Sequence, residues 1–324
     1  MNGLVFENVS VRFGSRRRGL TAVDGADLAV PPGLIVGLVG ESGSGKSTLA
    51  RAAVGLAPLS GGRILLDGQP VRPPSRTDTR HPLQMVFQDP HSALDPRMTI
   101  GDTITEAIPR AALSGAAARR AEVARLLDLV GLAADQADVG PAQLSGGQRQ
   151  RVGLARALAG RPDVIIADEI TSALDVSIQG TVLNLVRDLQ RQMQLSMLFI
   201  SHNLAVVQYV SDIVAVMYLG RIVEYGDAAQ VIGDPQHPYT RELLAAAPDP
   251  RADTLTRIET DPALLAVTDA DPPDPHHPPS GCRFHPRCPI GPLVRADRDQ
   301  CRDVEPVGDG HRHRAACHFA ESAA

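Results

Sequence analysis

A single lysine, Lys46, lies in a glycine-rich segment whose residue types and spacing suit a polyphosphate. It is the only lysine among 32 basic residues, so arginine supplies every other cation. The segment fits the pattern G-x-x-x-x-G-K-S/T, in which backbone amides cradle phosphates, the lysine reaches the β- and γ-phosphates, and the hydroxyl ligates Mg²⁺. The predicted phosphate site consists of Gly40, Glu41, Ser42, Gly43, Ser44, Gly45, Lys46, Ser47 and Thr48.

The residues on either side of this segment predict the elements that hold it. Leu34–Val39 is a short apolar run typical of a buried parallel strand, and residues 47–54 are predicted to form a helix. That helix would direct its N-terminal amides and positive dipole end at the phosphates. A strand, a loop and a helix in this order are the context that the motif requires.

Two further segments add groups that act on a phosphate. The turn Leu144–Gln148 opens a predicted helix whose N-terminus also favours an anion. The apolar run Val164–Ala167 ends in Asp168 and Glu169. The carboxyl edge of a parallel sheet is where such sheets bind ligands. We therefore expect Asp168 to hold Mg²⁺ and Glu169 to be the general base for the attacking water.

The run Leu-Ser-Gly-Gly-Gln at 144–148 resembles the signature of the ATP-binding cassette (ABC) ATPases. In that family the signature of one subunit closes on the γ-phosphate held by the P-loop of a second subunit. The resemblance implies that Ser145, Gly146, Gly147 and Gln148 contact ATP across a dimer. It also implies an α/β fold: a P-loop NTPase (RecA-like) core with an antiparallel β subdomain and a helical subdomain.

Further residues match ABC motifs, and their roles rest on the resemblance. Gln88 corresponds to the Q-loop glutamine, which touches Mg²⁺ and relays its state toward a membrane partner. Asp175 lies in the D-loop between two ATP sites. His202 matches the switch histidine at the γ-phosphate, a catalytic role with Lys46 and the glutamate base. Phe13 is the expected aromatic stacked on adenine, with a packed core residue as the alternative.

One position departs from the family pattern. A proline usually follows the catalytic glutamate, and this chain has Ile170 there. Isoleucine restores a backbone N–H and relaxes the turn, but it removes no catalytic group. We therefore expect the site to remain active.

Composition limits the function classes. The net charge of −5 argues weakly against broad nucleic-acid binding. The longest apolar runs are strand-sized, far short of the roughly 18 residues that cross a bilayer. The N-terminal residues alternate like a strand and lack the charged-then-apolar pattern of a signal peptide, which predicts a cytoplasmic protein with reduced cysteines.

The predicted organisation has two parts. Residues 1–234 form an ABC ATPase domain with a helical subdomain at about 90–160, where Ala116–Val130 shows apolar residues at helical spacing. Residues 235–324 form a C-terminal extension with a linker at 248–280, whose Pro-rich stretch 271–279 is stiff and unhelical. A cysteine module occupies 281–318. The lack of long heptads and of a second cassette argues against DNA-repair, chromosome-organising and translation-factor relatives.

Residues 234–244 resemble the segment that marks the ATPases of oligopeptide and dipeptide importers and their nickel and glutathione relatives. The resemblance implies a protein on the cytoplasmic face of the cell membrane. Its partners would be a second ABC ATPase subunit, two transmembrane permeases and an extracytoplasmic substrate-binding protein, with no nucleic acid. Dipeptide, longer peptide, nickel chelate and glutathione stay open as substrates. The alternative of another class is a soluble ABC ATPase acting on nucleic acid or ribosomes.

Four cysteines lie near the C-terminus with the spacing C-x₅-C-x₁₂-C-x₁₅-C. A small Pro-rich segment can hardly build a core, so a metal crosslink would stabilise it. The segment around the first two resembles the C-terminal region of peptide-importer ATPases, some of which carry a 4Fe-4S cluster. The lack of paired C-x₂-C knuckles favours a cluster over zinc, with unligated cysteines as the third alternative. The cysteines are Cys282, Cys288, Cys301 and Cys317, and the nearby spare ligands are His285, His311, His313 and His318.

Overall fold

Short runs of aliphatic residues supply the strands of two sheets. The computed structural model describes residues 3–14, 19–73, 75, 77–89, 93–172, 174–246, 273–308 and 313–320. The strands in these ranges are β1 (Leu4–Phe13), β2 (Leu20–Val30), β3 (Ile35–Val39), β4 (Gly61–Leu66), β5 (Gln69–Pro70), β6 (Leu83–Val86), β7 (Val164–Asp168), β8 (Ser196–Ile200), β9 (Ile213–Tyr218), β10 (Arg221–Asp227) and β11 (Arg314–Ala315).

A mixed sheet forms the centre of the described structure, in the order β11-β10-β9-β3-β8-β7-β6. The five strands from β9 to β6 pair in parallel, and β10 and β11 are antiparallel additions at one edge. Because the carboxyl ends of parallel strands meet at one edge, the segments that follow β3, β6, β7 and β8 lie side by side. These segments carry Lys46, Gln88, Glu169 and His202.

A second, antiparallel sheet in the order β2-β1-β4-β5 lies against the central one. Its apolar residues, such as Leu4 and Phe6, are buried in one cluster with Leu49 and with Val36 of the central sheet. The predicted antiparallel subdomain is therefore present, and its packing holds the start of the helix that follows the phosphate loop.

The described helices pack on both sides of this framework. Val123, Leu126 and Leu127, which carry the apolar spacing noted in the sequence, are buried. None of the described helices combines the length and apolar character that a membrane span needs. The helices are α1 (Lys46–Ala53), α2 (Ile100–Ala107), α3 (Ala116–Leu129), α4 (Gly146–Ala159), α5 (Val176–Met193), α6 (Leu204–Val210), α7 (Ala228–Gly233), α8 (Pro238–Ala246) and α9 (Gln300–Asp303).

The C-terminal segment packs directly on this framework. β11 extends the central sheet by pairing with β10. Phe284 is buried against Tyr218 and Tyr239, with ring centroids 5.3 and 5.5 Å away. The expectation that this segment lacks a core without a metal is revised, since it uses the core of the preceding part of the chain. Residues 248–272 of the predicted linker lie outside the described residues, and 273–280 contain neither helix nor strand.

Candidate active site

Lys46 begins α1 at the end of the phosphate loop. Gly45 before it has a φ of 104°, and a Cβ there would come within 2.3 Å of the Ala22 carbonyl oxygen, so only glycine fits. The Lys46 ammonium is buried and donates to the carbonyl oxygens of Gly40 and Glu41, both at 2.8 Å. Burial lowers the pKa of Lys46, while nearby carboxylates oppose that shift. Backbone carbonyl groups of the phosphate loop thus hold the Lys46 ammonium inside the loop.

The two oxygens predicted to bind Mg²⁺ are in contact. Ser47 Oγ donates to Asp168 Oδ1 at 2.9 Å. Asp168 ends β7 and is 1% exposed, and this burial raises its pKa although the bond from Ser47 opposes the shift. A hydroxyl and a carboxylate are oxygen donors of the kind that Mg²⁺ prefers. The donor set therefore fits the ion.

Glu169 follows with an unusual backbone. Its φ is 47°, in the left-handed region that non-glycine residues rarely adopt. The Glu169 amide donates to the Ile200 carbonyl at 3.0 Å, and its carbonyl accepts from the amide and hydroxyl of Ser172 at 3.1 and 2.9 Å. Strain of this kind clusters at functional sites and is held in place by its surroundings.

Two groups from neighbouring strands meet the Glu169 carboxylate. Gln88 Nε2 donates to Oε2 at 2.7 Å, and His202 Nδ1 lies 3.4 Å from Oε1. Gln88 follows β6 and His202 follows β8, so the strands on either side of β7 deliver them. Three residues that the sequence indicates separately therefore form one cluster.

The signature turn is organised by its own helix. Ser145 is the N-cap of α4: its hydroxyl accepts from the Gln148 amide at 3.3 Å, and the Gln148 side chain accepts from the Ser145 amide at 2.8 Å. This is a reciprocal capping box. At Gly147 a Cβ would approach Ile178 of α5 to 2.7 Å, so glycine allows close helix packing. The exposed Ser145 end of α4 presents a positive dipole end to an anion.

Phe13 and Asp175 remain exposed. Phe13, at the end of β1, is 42% exposed, which disfavours the interpretation of a packed core residue. Asp175 is the N-cap of α5, and its side chain makes no capping bond. Their predicted roles in ATP binding stay predictions.

Two residues at this site escape sequence reasoning. Tyr239 of α8 accepts a hydrogen bond from the Glu41 amide at 2.8 Å through its hydroxyl oxygen. Arg287 donates to both carboxylate oxygens of Glu41, at 3.1 and 3.2 Å. They are separated from Glu41 by 198 and 246 positions, and no local pattern pairs residues so distant. The only signal was an acidic residue in a glycine- and serine-rich loop.

The four cysteines line one small cavity of about 10 Å³ as free thiols. Burial raises the pKa of Cys282 to about 11 and that of Cys288 to about 12, so both are neutral at pH 7. The described residues contain no group of three or more His, Cys, Asp or Glu side chains arranged to hold a metal ion. Four sulfurs suit a soft metal or cluster, but a cavity this size holds about one water.

The spare histidine ligands have other partners. His285 Nδ1 lies 2.9 Å from the Cys282 carbonyl oxygen, and His318 Nε2 lies 2.9 Å from that of Val304. His313 Nε2 lies 2.6 Å from Oε1 of the buried Glu224. His311 is outside the described residues. The four thiols are therefore the donor set to consider.

Sequence comparison identifies the family. Residues 23–172 match the family model described as ABC transporter, and 223–292 match the one described as oligopeptide/dipeptide transporter, C-terminal region. The "Probable peptide ABC transporter ATP-binding protein y4tS" of Sinorhizobium fredii is 43% identical over 94% of this chain and 84% of its own length. A Brucella ovis protein named for peptide import and ATP binding is 42% identical over 94% of this chain and 95% of its own.

Solved structures share the fold. CbiO1 of Clostridium perfringens, described as part of the ABC transporter complex cbiONQ, has a TM-score of 0.61 at 26% identity, over 71% of this chain and 90% of its own. The dimeric ATP-binding cassette MJ0796 bound to ADP and Pi has a TM-score of 0.62 at 24% identity, over 69% and 98%. The second match shows the fold alone. By its motifs, fold and relatives, the chain belongs to the ATP-binding proteins of ABC transporters and is an ATPase.

Proposed function

We propose that this chain is the ATP-hydrolysing, energy-coupling subunit of an ABC importer for dipeptides or oligopeptides. The observation that carries the proposal is the match of residues 223–292 to the C-terminal region of oligopeptide/dipeptide transporters, joined to an assembled P-loop site. Relatives that are 42–43% identical over 94% of the chain are named for peptide transport. Nickel chelate and glutathione stay alternatives, because in such an importer the binding protein and the permeases would select the substrate.

The proposed assembly places the chain on the cytoplasmic face of the membrane. It would work with a second cassette, two permeases and an extracytoplasmic substrate-binding protein. We infer the ABC domain at 1–234, with its helical subdomain at about 90–160, and the extension at 235–324. The cluster of α2, α3 and α4 supports the helical subdomain.

The test is import by the transporter reconstituted in vesicles. Labelled dipeptides, longer peptides, nickel chelate and glutathione would each be supplied with ATP on the cassette side. ATP-dependent uptake of peptides is the expected result. Uptake of only nickel chelate or glutathione would replace the proposed substrate, and co-purification with ribosomes or nucleic acid instead of permeases would favour the other class of ABC ATPase.

We infer that ATP closes two cassettes head to tail. Lys46 and the loop amides would bind the phosphates, and the signature turn of the other subunit would contact the γ-phosphate. Glu169 would orient the attacking water, with His202 at the γ-phosphate. Mg²⁺, when bound, neutralises charge on the phosphate oxygens. The contact of Ser47 with Asp168, beside Gln88 and Glu169, supports this distribution of roles.

We infer that the permeases dock in a large cavity on this chain. It has a volume of about 1110 Å³ and lies between the α1–β4 side and the helical region. Leu56 and Leu59 on its wall are 61% and 42% exposed, as expected of a protein interaction surface. Phe87 also lines it and directly precedes Gln88. A permease segment seated here would therefore act on the residue that contacts Glu169.

For the cysteine cavity we propose a 4Fe-4S cluster, with zinc as the alternative. The proposal is supported by four free thiols that line one cavity, and it requires the cavity to open beyond its present volume. When bound, the cluster would crosslink four points of the C-terminal segment. Anaerobically purified protein should be coloured and contain iron. Colourless, iron-free protein would overturn the cluster, and zinc in that protein would establish the alternative.

A further inference from the structure

Residues beyond position 234 hold Glu41 of the phosphate loop through three hydrogen bonds. The backbone amide of Glu41 donates to the Tyr239 hydroxyl, and its carboxylate accepts two hydrogen bonds from Arg287. Its carbonyl oxygen accepts from Lys46. Every polar group of Glu41 is therefore engaged, two of the three by residues beyond position 234.

Contacts on several sides fix the position of the Arg287 side chain. Its side chain is 8% exposed and is shared between Glu41 and Glu242 of α8. The guanidinium lies 5.8 Å from the centre of the Phe284 ring, which packs in turn against Tyr239. Two carboxylates and an aromatic face thus fix the planar group from different sides.

Stability alone explains this arrangement poorly. Desolvating an arginine and two carboxylates costs as much as their attraction returns in many proteins. Glu242 Oε2 is buried and has no hydrogen-bond partner among the described residues. A cluster that leaves a buried carboxylate oxygen unpaired is poorly suited to stabilise the fold, but it fixes the geometry of the groups it joins.

One residue of this cluster, Glu41, belongs to the ATP site. Lys46 Nζ is bound to the carbonyl oxygens of Gly40 and Glu41, so a shift of Glu41 changes the place of the ammonium. Small displacements of charged groups weaken their contacts with phosphate, because such hydrogen bonds depend on distance and angle. Arg287 can therefore influence ATP binding without touching ATP.

We propose that Arg287 is a positioning residue for the phosphate loop: through Glu41 it makes ATP affinity depend on the seating of the C-terminal segment. The neighbouring Arg283 provides a matched comparison. It joins the same segment to Asp24 and to the Leu219 carbonyl, whereas Arg287 bonds Glu41 itself. Loss of either arginine loosens the segment, but only loss of Arg287 releases Glu41.

The test measures ATPase kinetics of the assembled transporter for Arg287→Met, Arg287→Lys, Glu41→Gln, the Glu41→Gln/Arg287→Met double variant and Arg283→Met. Arg287→Met should raise KM for ATP about tenfold, the effect of weakening charged hydrogen bonds, with kcat changed less than about twofold. Arg287→Lys should restore part of the affinity, since an ammonium can pair with one carboxylate. The KM of the double variant should be no higher than that of Arg287→Met, because both substitutions break the same contact between Arg287 and Glu41.

Unchanged KM in Arg287→Met would overturn the proposal. Additive effects in the double variant would do the same, since Arg287 would then act by a route other than Glu41. An equal rise of KM in Arg283→Met would reduce Arg287 to a general anchor of the segment. If Arg287→Met fails to fold, Glu41→Gln tests the same contact, because it weakens the pair with Arg287 while Arg287 stays beside Glu242. An unchanged KM for ATP in Glu41→Gln would then overturn the proposal. Thermal unfolding followed by circular dichroism reports the fold of each variant.

Discussion

At the residue scale, Glu169 is the group on which hydrolysis is expected to depend. Its carboxylate is held by Gln88 and lies beside His202, and its backbone adopts a strained left-handed conformation. Glu169→Gln keeps the shape and a hydrogen-bonding oxygen but removes the base. We expect ATP turnover to fall by about 10²- to 10⁴-fold, the usual contribution of general base catalysis, while ATP binding persists.

Two measurements check this expectation. Phosphate release gives the turnover, and size-exclusion chromatography with ATP should show a trapped dimer of the variant. Glu106→Gln, which removes an exposed acid that pairs with Arg156, serves as the control for charge loss. Undiminished hydrolysis in Glu169→Gln would refute the assignment of the base.

Phe13 makes a separate prediction about the base of the nucleotide. An exposed ring at the end of β1 can stack on adenine, and stacking of a base on an aromatic side chain is worth about 1–3 kcal/mol. Phe13→Ala should therefore weaken ATP binding by about 5- to 150-fold, with a smaller effect on maximal turnover. Calorimetric titration measures the affinity. Tyr209→Ala, which removes another exposed ring on α6, should leave the affinity unchanged.

At the element scale, the sequence predicts elements whose signals are local. The strand expected at 34–39 is observed as β3 (Ile35–Val39), and the helix expected at 47–54 as α1 (Lys46–Ala53). A buried apolar run followed by a glycine-rich loop leaves few other conformations. The parallel sheet then brings Gln88, Glu169 and His202 together, because their strands end at the same edge.

The contacts of the C-terminal segment have no such local signal. β11 pairs Arg314 with Tyr225 of β10, and Arg287 reaches Glu41, in each case across a long stretch of chain. These contacts depend on tertiary packing of Phe284 against Tyr218 and Tyr239. Residue spacing alone therefore indicated a cysteine-lined site, but not that the segment would adjoin the ATP site.

The buried histidine directly before α8 predicts that the stability of the protein depends on pH. His237 Nδ1 accepts a hydrogen bond from the Tyr239 amide at 3.1 Å, which requires an unprotonated nitrogen, and burial lowers the pKa of His237 to about 3. The unfolded chain binds a proton near pH 6.5 and the folded chain does not, so stability falls as pH drops below 6.5. The free energy of unfolding should lose about 2 kcal/mol from this group at pH 5.

Urea unfolding at pH 7 and pH 5 checks this expectation. His237→Asn keeps a side chain that can accept from the helix amide but does not titrate. The variant should be less stable than the parent at pH 7, and the difference should shrink by about 2 kcal/mol at pH 5. A constant difference between the two proteins would contradict the expected role of the buried imidazole.

At the scale of the whole molecule, the ATP site and the cysteine cavity are two sides of one aromatic cluster. Tyr239 contacts Glu41 on one side, and Phe284 lines the cysteine cavity on the other. Their rings are 5.5 Å apart. The two sites therefore share a packed boundary, yet the bonds that seat the C-terminal segment do not involve Lys46.

Lys46→Ala tests whether these sites can be separated. The change removes the ammonium that would bind the phosphates, so ATP affinity should fall at least about tenfold and ATP-driven import should be lost. The module from Cys282 to Cys317 should stay folded, because Phe284, Arg287 and the β10–β11 pairing hold it in place. Titration calorimetry measures ATP binding, and the rate at which a thiol reagent labels the cysteines measures the module. Faster labelling in Lys46→Ala than in the parent protein would mean that the phosphate loop supports the module as much as the module supports the loop.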